Sequence, residues 1–393
     1  MRNKTRGVYC SKIENEKIII ITKIKTFIMK RSCILTTVLL IITAQKINAQ
    51  GCVAIRSNGN SCGISKAGDA KGWQLNVNNR YFKSYKHFVG TEEQKHRVEE
   101  GTEVINYSVN WDFTLTRNID KYWSWSVNVP LLSNVRSSMY EHYGNTSTSP
   151  LARNKTKSFG LGDIRVTAYR WLLDPQKSPK GNIQLGLGVK FATGDYQVND
   201  FFHKAGVSGD STVLGPVDQS IQLGDGGTGI ALEVNGYKSF NHQWGVYGNF
   251  YYLVNPREQN GVLTSRGGAT SATNVRYFSH TMSVPDQFMV RGGANFMVNK
   301  FMFSGGVRIE GIPSGDLIGG DKGFRRPGYV ISAEPTVLLT TKKANFYLSV
   351  PFALERNRTQ SYSDKLRSTP TNKIQGDAAF ADYLINAGFS IHL

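Results

Sequence analysis

Residues 104–116 read VINYSVNWDFTLT, and their side chains alternate without a break. Ile105, Tyr107, Val109, Trp111, Phe113 and Leu115 are apolar or aromatic, whereas Asn106, Ser108, Asn110, Asp112 and Thr114 are polar. Successive side chains of a strand point to opposite faces, so this pattern predicts a strand with one apolar and one hydrated surface. A run of roughly a dozen residues is about twice an ordinary strand and suits a tilted crossing of a bilayer.

The same pattern recurs along the chain. Strands are predicted over 72–85, 104–116, 123–131, 162–173, 182–191, 230–240, 244–254, 287–298, 301–311, 329–340, 345–355 and from 379 to the end. The fifth is typical: Ile183, Leu185, Leu187, Val189 and Phe191 alternate with Gln184, Gly186, Gly188 and Lys190. Long connections (90–101, 133–157, 194–229, 255–283, 312–328, 356–378) alternate with short ones such as 241–243 and 299–300. Soluble sandwiches have no reason to place every long loop at one end. The expected fold is therefore all-β: a transmembrane up-and-down antiparallel barrel of about twelve strands, with short periplasmic turns and long extracellular loops. An even strand count returns both ends to the periplasm, and closure removes an edge that lipid cannot satisfy.

Aromatic placement agrees. Trp73, Trp123, Trp125, Trp171 and Trp244 fall near the short-turn ends, with Trp111 slightly deeper. Rings with a polar tip favour the membrane interface, so they form a candidate girdle; core packing in a soluble β protein is the bland alternative.

Composition narrows the setting. Forty glycines, 11% aromatics and 19% charged residues suit a turn-rich β protein. Residues 29–49 read as a signal peptide: Lys30 and Arg31, an apolar stretch from Cys33 to Ala44, then Ile47-Asn48-Ala49. Residues 1–28 are an upstream extension outside the fold, from a start at Met29 or from an unusually long leader. Residues 50–71 are then a short periplasmic segment or small plug, and 72–393 the barrel. Without residues 1–49 the charge falls from +18 to about +10, spread along the chain. Neither a basic stripe nor a recognition motif points to nucleic acid. Cys52 and Cys62 remain, and an exported chain makes a disulfide between them the leading reading.

If the apolar faces meet lipid, the polar faces line a lumen. The candidates are Asp112, Arg165, Lys190, Glu233, Arg291, Arg308, Glu310, Glu334 and Glu355. They serve either as pairs that brace the wall or as guides for a permeant. Catalysis finds no support: the seven histidines lack H-E-x-x-H spacing, G-x-S-x-G is absent, and His280 with Ser283 has no identifiable orienting acid. LGDGGTG (223–229) lacks the Gly-Lys-Ser/Thr end of a phosphate cradle and reads as a flexible approach to a strand. No enzyme, metal or cofactor is expected.

The segments FGLGDIRVTAYRWLL (159–173) and IQLGLGVKFATGDY (183–196) resemble the paired signature of the phenol meta-pathway (MetA-like) outer-membrane proteins. IQLGDGGTGIALEVNGYKSF and WGVYGNFYYLVN are similar to that family's next block. The resemblance covers about residues 159–255. It implies an outer-membrane barrel of a Gram-negative bacterium that passes hydrophobic or aromatic compounds, loosely related to the long-chain fatty-acid transporters. Those carry an N-terminal hatch; here the Cys52–Cys62 loop is a candidate small plug. Gly162, Asp163, Gly194, Asp195 and Gly229 match the family pattern and read as strand-end and turn devices. The expected function is a passive or gated channel for small, hydrophobic or aromatic compounds, with outer-membrane lipid and a small-molecule permeant as partners. The alternatives are a non-transporting barrel whose loops bind a ligand, and a barrel-embedded hydrolase. Oligomeric state stays open.

Overall fold

The computed structural model describes residues 71–206 and 209–393. Twelve antiparallel strands form a closed barrel. They are β1 (Gly72–Val89), β2 (Ile105–Asn118), β3 (Trp123–Ser138), β4 (Asn154–Leu161, resumed at Arg165–Trp171), β5 (Gly181–Lys190) and β6 (Gly229–Ser239). There follow β7 (Trp244–Val254), β8 (Gln287–Val298), β9 (Phe301–Ile312), β10 (Gly328–Ala333 and Thr336–Thr340), β11 (Ala344–Ser349 and Phe352–Arg358) and β12 (Ala378–His392). Each pairs with its sequence neighbours, and β12 closes on β1 from Gln74↔His392 to Phe88↔Ala378.

The burial is inverted relative to a soluble protein. On β2, Asn106, Ser108, Asn110, Asp112 and Thr114 are buried, while Phe113 is 40% exposed. On β5, Leu187 is 60% exposed and lies between the glycines of an inward face. A barrel with a dry exterior and polar interior belongs in hydrocarbon.

Side chains define the short turns. Asp120 Oδ1 accepts from the Tyr122 and Trp123 amides, both at 2.7 Å. Asn241 Oδ1 does the same for Gln243 and Trp244, at 2.8 and 2.7 Å. These Asx turns reverse the chain in a few residues. The two-residue turn between β8 and β9 puts Asn299 at φ 52°, a left-handed conformation that asparagine tolerates.

Several expected boundaries move. The stretch 133–157 is not all insertion, because β3 runs on to Ser138 and β4 begins at Asn154, paired from Leu131↔Leu161 to Ser138↔Asn154. β4 breaks over 162–164, and β10 and β11 break at Pro335 and Pro351, which have no N–H for the ladder. Among the described residues the long loops also hold structure of their own: a hairpin of Asn199–Gly206 with Gly209–Pro216, another of Gln259–Leu263 with Thr281–Ser283, three short α-helices and one 3-10 turn at Gln219–Ile221.

Candidate functional site

The site is built in three tiers, beginning with a charged belt inside the barrel wall. Arg80 Nε donates to Asn386 Oδ1 at 2.8 Å, and Ser349 Oγ donates to Glu334 Oε1 at 3.1 Å. Glu334 also faces Arg291 and Arg308 at 3.5 and 3.6 Å, and Arg308 pairs with Glu310 at 2.7 Å. Across the interior, Arg165 donates to the Tyr251 hydroxyl at 2.9 Å and Tyr169 to Glu233 at 3.1 Å. Such partners offset the cost of burying these charges.

Of the nine candidates for the inner face, Asp112, Arg165, Lys190, Glu233, Arg291, Arg308, Glu310 and Glu334 are buried. Glu355 is placed differently. Its register pairs Ile331↔Glu355 and then Ser332↔Ala353, leaving Leu354 as a bulge. The bulge turns Glu355 onto the face of Ile331, away from buried Ser332, where it accepts a 2.5 Å hydrogen bond from the Tyr329 hydroxyl. Alternation alone could not reveal that shift.

The second tier is an inward-folded segment, residues 218–225, from the loop between β5 and β6. Three sets of contacts hold it. Asp218 receives Arg326 bidentately, at 2.8 and 2.6 Å, and lies 3.5 Å from Arg136. The Ile221 carbonyl accepts from Ser158 Oγ at 2.5 Å. Asp225 pairs with Lys190, while Asp163, at the break in β4, lies 3.6 Å from Lys190 and accepts from the Gly194 and Asp225 amides.

Glycine is required where backbones meet. A Cβ on Gly194 would sit 2.6 Å from the Leu223 carbonyl oxygen, and one on Gly224 2.5 Å from that of Gly194. Thus Asp163, Gly194 and the run 223–229 form a clasp for this segment, beyond the simple turn and flexible-approach roles expected of them. Their cue in the sequence was the clustering of Gly and Asp at strand ends, but its target lies about thirty residues away.

The third tier is open space. Two cavities lie on either side of the segment, and Gln219 borders both. The inner one, about 130 Å³, is lined by Asn110, Asn128, Arg165, Tyr251, Leu223 and Asp225 among others. The outer one, about 450 Å³, opens among the long loops and is lined by arginines, including Arg97, Arg136, Arg326 and Arg358.

Electrostatics lock the loops together. Glu141 is fully buried and bonds Arg136 at 2.9 Å and Arg266 at 3.3 Å. Burial works to raise the Asp218 carboxyl, but Arg136 and Arg326 outweigh it and hold it well below the usual carboxylate range. His142 is pushed the other way from charge: burial lowers it to about 4. Its Nδ1 accepts the His203 amide at 3.0 Å, tying the β3–β4 loop to the hairpin at 199–206.

The remaining candidates separate. Ser283 is buried, and its hydroxyl donates to the Phe324 carbonyl at 3.0 Å, so no hydrogen bond links it to His280 among the described residues. Trp73, Trp123, Trp125, Trp171 and Trp244 all lie beside the short turns or at the N-terminal end of β1; Trp73 packs edge-on against Trp125 at 5.5 Å. Cys52, Cys62 and the leader lie outside the described residues.

No protein-family model matches the chain, and no curated protein aligns with it. Among solved structures, the COG4313 outer membrane channel from Pseudomonas putida F1 superposes with a TM-score of 0.52, at 10% identity over 86% of this chain and 100% of that one. The translocator domain of autotransporter NalP from Neisseria meningitidis gives 0.44, at 10% identity over 83% and 90%. The Ralstonia pickettii toluene transporter TbuX gives 0.41, at 10% identity over 83% and 90%. At such identity the first of these establishes a shared barrel fold, and the other two carry no weight.

Proposed function

We propose that this chain is an outer-membrane channel of a Gram-negative bacterium for small hydrophobic or aromatic compounds, closed at rest by residues 218–225. The observation that carries this reading is the pair of cavities of about 450 and 130 Å³ separated by one segment, anchored by the ion pairs of Asp218 and Asp225 and by buried Ile221 and Leu223. An interior serving only as scaffold would be filled by side chains across that boundary. Displacing the segment would join the two cavities.

Other features support the same setting. A solved structure of similar fold is an outer membrane channel. The segments resembling the MetA-like proteins form β4, β5 and the Asp163–Gly194 clasp. On this reading residues 29–49 direct export, and the tryptophans at the short turns sit in the periplasmic interface of the lipid. Seven of the proposed lumen charges, all but Asp112 and Glu355, are engaged in buried ion pairs or hydrogen bonds, leaving selectivity to the loops above them.

Reconstitution of the chain in planar bilayers tests the proposal. Discrete conductance steps, and flux of a small aromatic solute into liposomes, are expected. A folded barrel that passes neither ions nor solute, even with the segment unlatched by Asp218→Asn, would replace the channel with a barrel whose loops only bind.

A further inference from the structure

The outer chamber has the wrong chemistry for a neutral hydrocarbon. Seven arginines line it against three carboxylates, Asp218, Asp364 and Asp377. Glu141 and Asp316, which bond to lining arginines from behind, raise the acids only to five. A concave, partly dehydrated space with excess fixed positive charge concentrates anions.

The arginines are also arranged as forks. Arg326 holds Asp218 through both terminal nitrogens, which is the geometry a free carboxylate needs. Arg367 is exposed beside the Tyr277 ring, at 5.9 Å, and has no ion pair among the described residues. Apolar surface is present but subordinate: Tyr140, Met282, Val217 and Phe324 contribute to the lining, and the Arg266 and Arg326 guanidinium groups lie over Tyr140 and Phe324 at 5.1 and 4.7 Å.

We infer that this chamber is a binding site for small organic carboxylates with an apolar or aromatic body. The ligand's carboxylate binds the Arg326 fork, drawn in by the positive lining to which Arg367 contributes, and its body rests on Phe324 and Met282. Because Arg326 also holds Asp218, a bound carboxylate competes with Asp218 and weakens the latch on residues 218–225. The inference rests on the channel reading and narrows its permeants to those carrying a negative charge. No bond is made or broken; one carboxylate replaces another.

The test uses the full chain refolded in detergent and titrated calorimetrically with benzoate, benzyl alcohol and inorganic phosphate at low salt. Benzoate should bind saturably and benzyl alcohol should not. Arg326→Gln and, as a surface change that spares the fold, Arg367→Gln should each weaken benzoate roughly tenfold. In bilayers, benzoate should raise the open fraction of the wild type and leave Asp218→Asn, already unlatched, unmoved. Equal binding of benzyl alcohol, phosphate binding as tight as benzoate, or an affinity unchanged in both arginine variants would each overturn the assignment. A channel that conducts but ignores benzoate sinks this inference alone. A barrel that never conducts sinks the channel reading, while calorimetry still judges the site.

Discussion

The barrel wall and the loop cap bury charge by opposite routes. In the wall, one rule repeated along β2 sends every second side chain inward, so Asn110 and Asp112 are buried by period alone. In the cap, Asp218 and Glu141 are buried because particular arginines from distant segments meet them: Arg136 from β3, Arg266 from the β7–β8 loop and Arg326 from the β9–β10 loop. The wall is held by a backbone ladder and the lipid outside. The cap is held by a handful of ion pairs, those of Arg136, Glu141 and Asp218 shared. A structure built the first way tolerates many inward substitutions, whereas one built the second way fails at single residues.

The largest effect should come from removing the carboxylate at the centre of the cap. Asp218→Ala leaves Arg136 and Arg326 without the anion between them, and breaking a buried pair in this way costs about 3–5 kcal/mol. The loss should fall on the closed state of residues 218–225 and leave the strands intact. Single-channel recording should show long openings, while the barrel keeps its β-sheet circular dichroism. Openings as rare as in the wild type would mean that the segment is not latched there.

A comparable blow to the wall must come from outside. Leu187→Arg places a charge on the exposed face of β5, where Leu187 is 60% exposed. At the bilayer midplane such a change costs about 2–4 kcal/mol. Urea unfolding in lipid vesicles should register that loss, with little change in gating. A soluble barrel would accept an arginine at this position almost freely, so an unchanged midpoint would contradict a lipid-facing wall.

The same contrast explains what the sequence disclosed. Alternation located all the wall strands, and β7 and β8 ended at the residues expected, because the membrane enforces apolar outward positions along them. The tops of β3 and β4 were missed for a related reason. Ser133, Val135 and Ser137 occupy the outward-phase positions near the end of β3, where the apolar requirement lapses and a strand reads as a polar loop. Pro335, Pro351 and the Leu354 bulge interrupt a ladder whose period continues past them, so β10 and β11 read as unbroken. The clasp at Asp163, Gly194 and Asp225 was visible as residue types but not as a unit. Its members are joined only by tertiary approach, which no local period encodes.

Acid should separate wall and cap most gently, through His142. Burial lowers this histidine from its ordinary 6.5 to about 4, and Lys204, Arg266 and His203 add to that, while Glu141 opposes it. The folded cap thus disfavours the proton, so its stability is complete above about pH 6.5 and declines as pH falls toward 4. The physical reason is local. Neutral His142 accepts the His203 amide at Nδ1, and protonation turns that acceptor into a donor facing a donor. Asp218 behaves oppositely: its carboxyl is held well below the usual range, so its ion pairs persist throughout this window. Lowering pH from 7 to 4.5 should therefore reduce the amide-exchange protection factors, taken relative to the intrinsic rate at each pH, in residues 199–206 while those of residues 218–225 hold. His142→Asn retains an acceptor without a titrating proton and should flatten the response. Acid-induced exchange that survives in His142→Asn, or that begins in residues 218–225, would place the weak seam of the cap elsewhere.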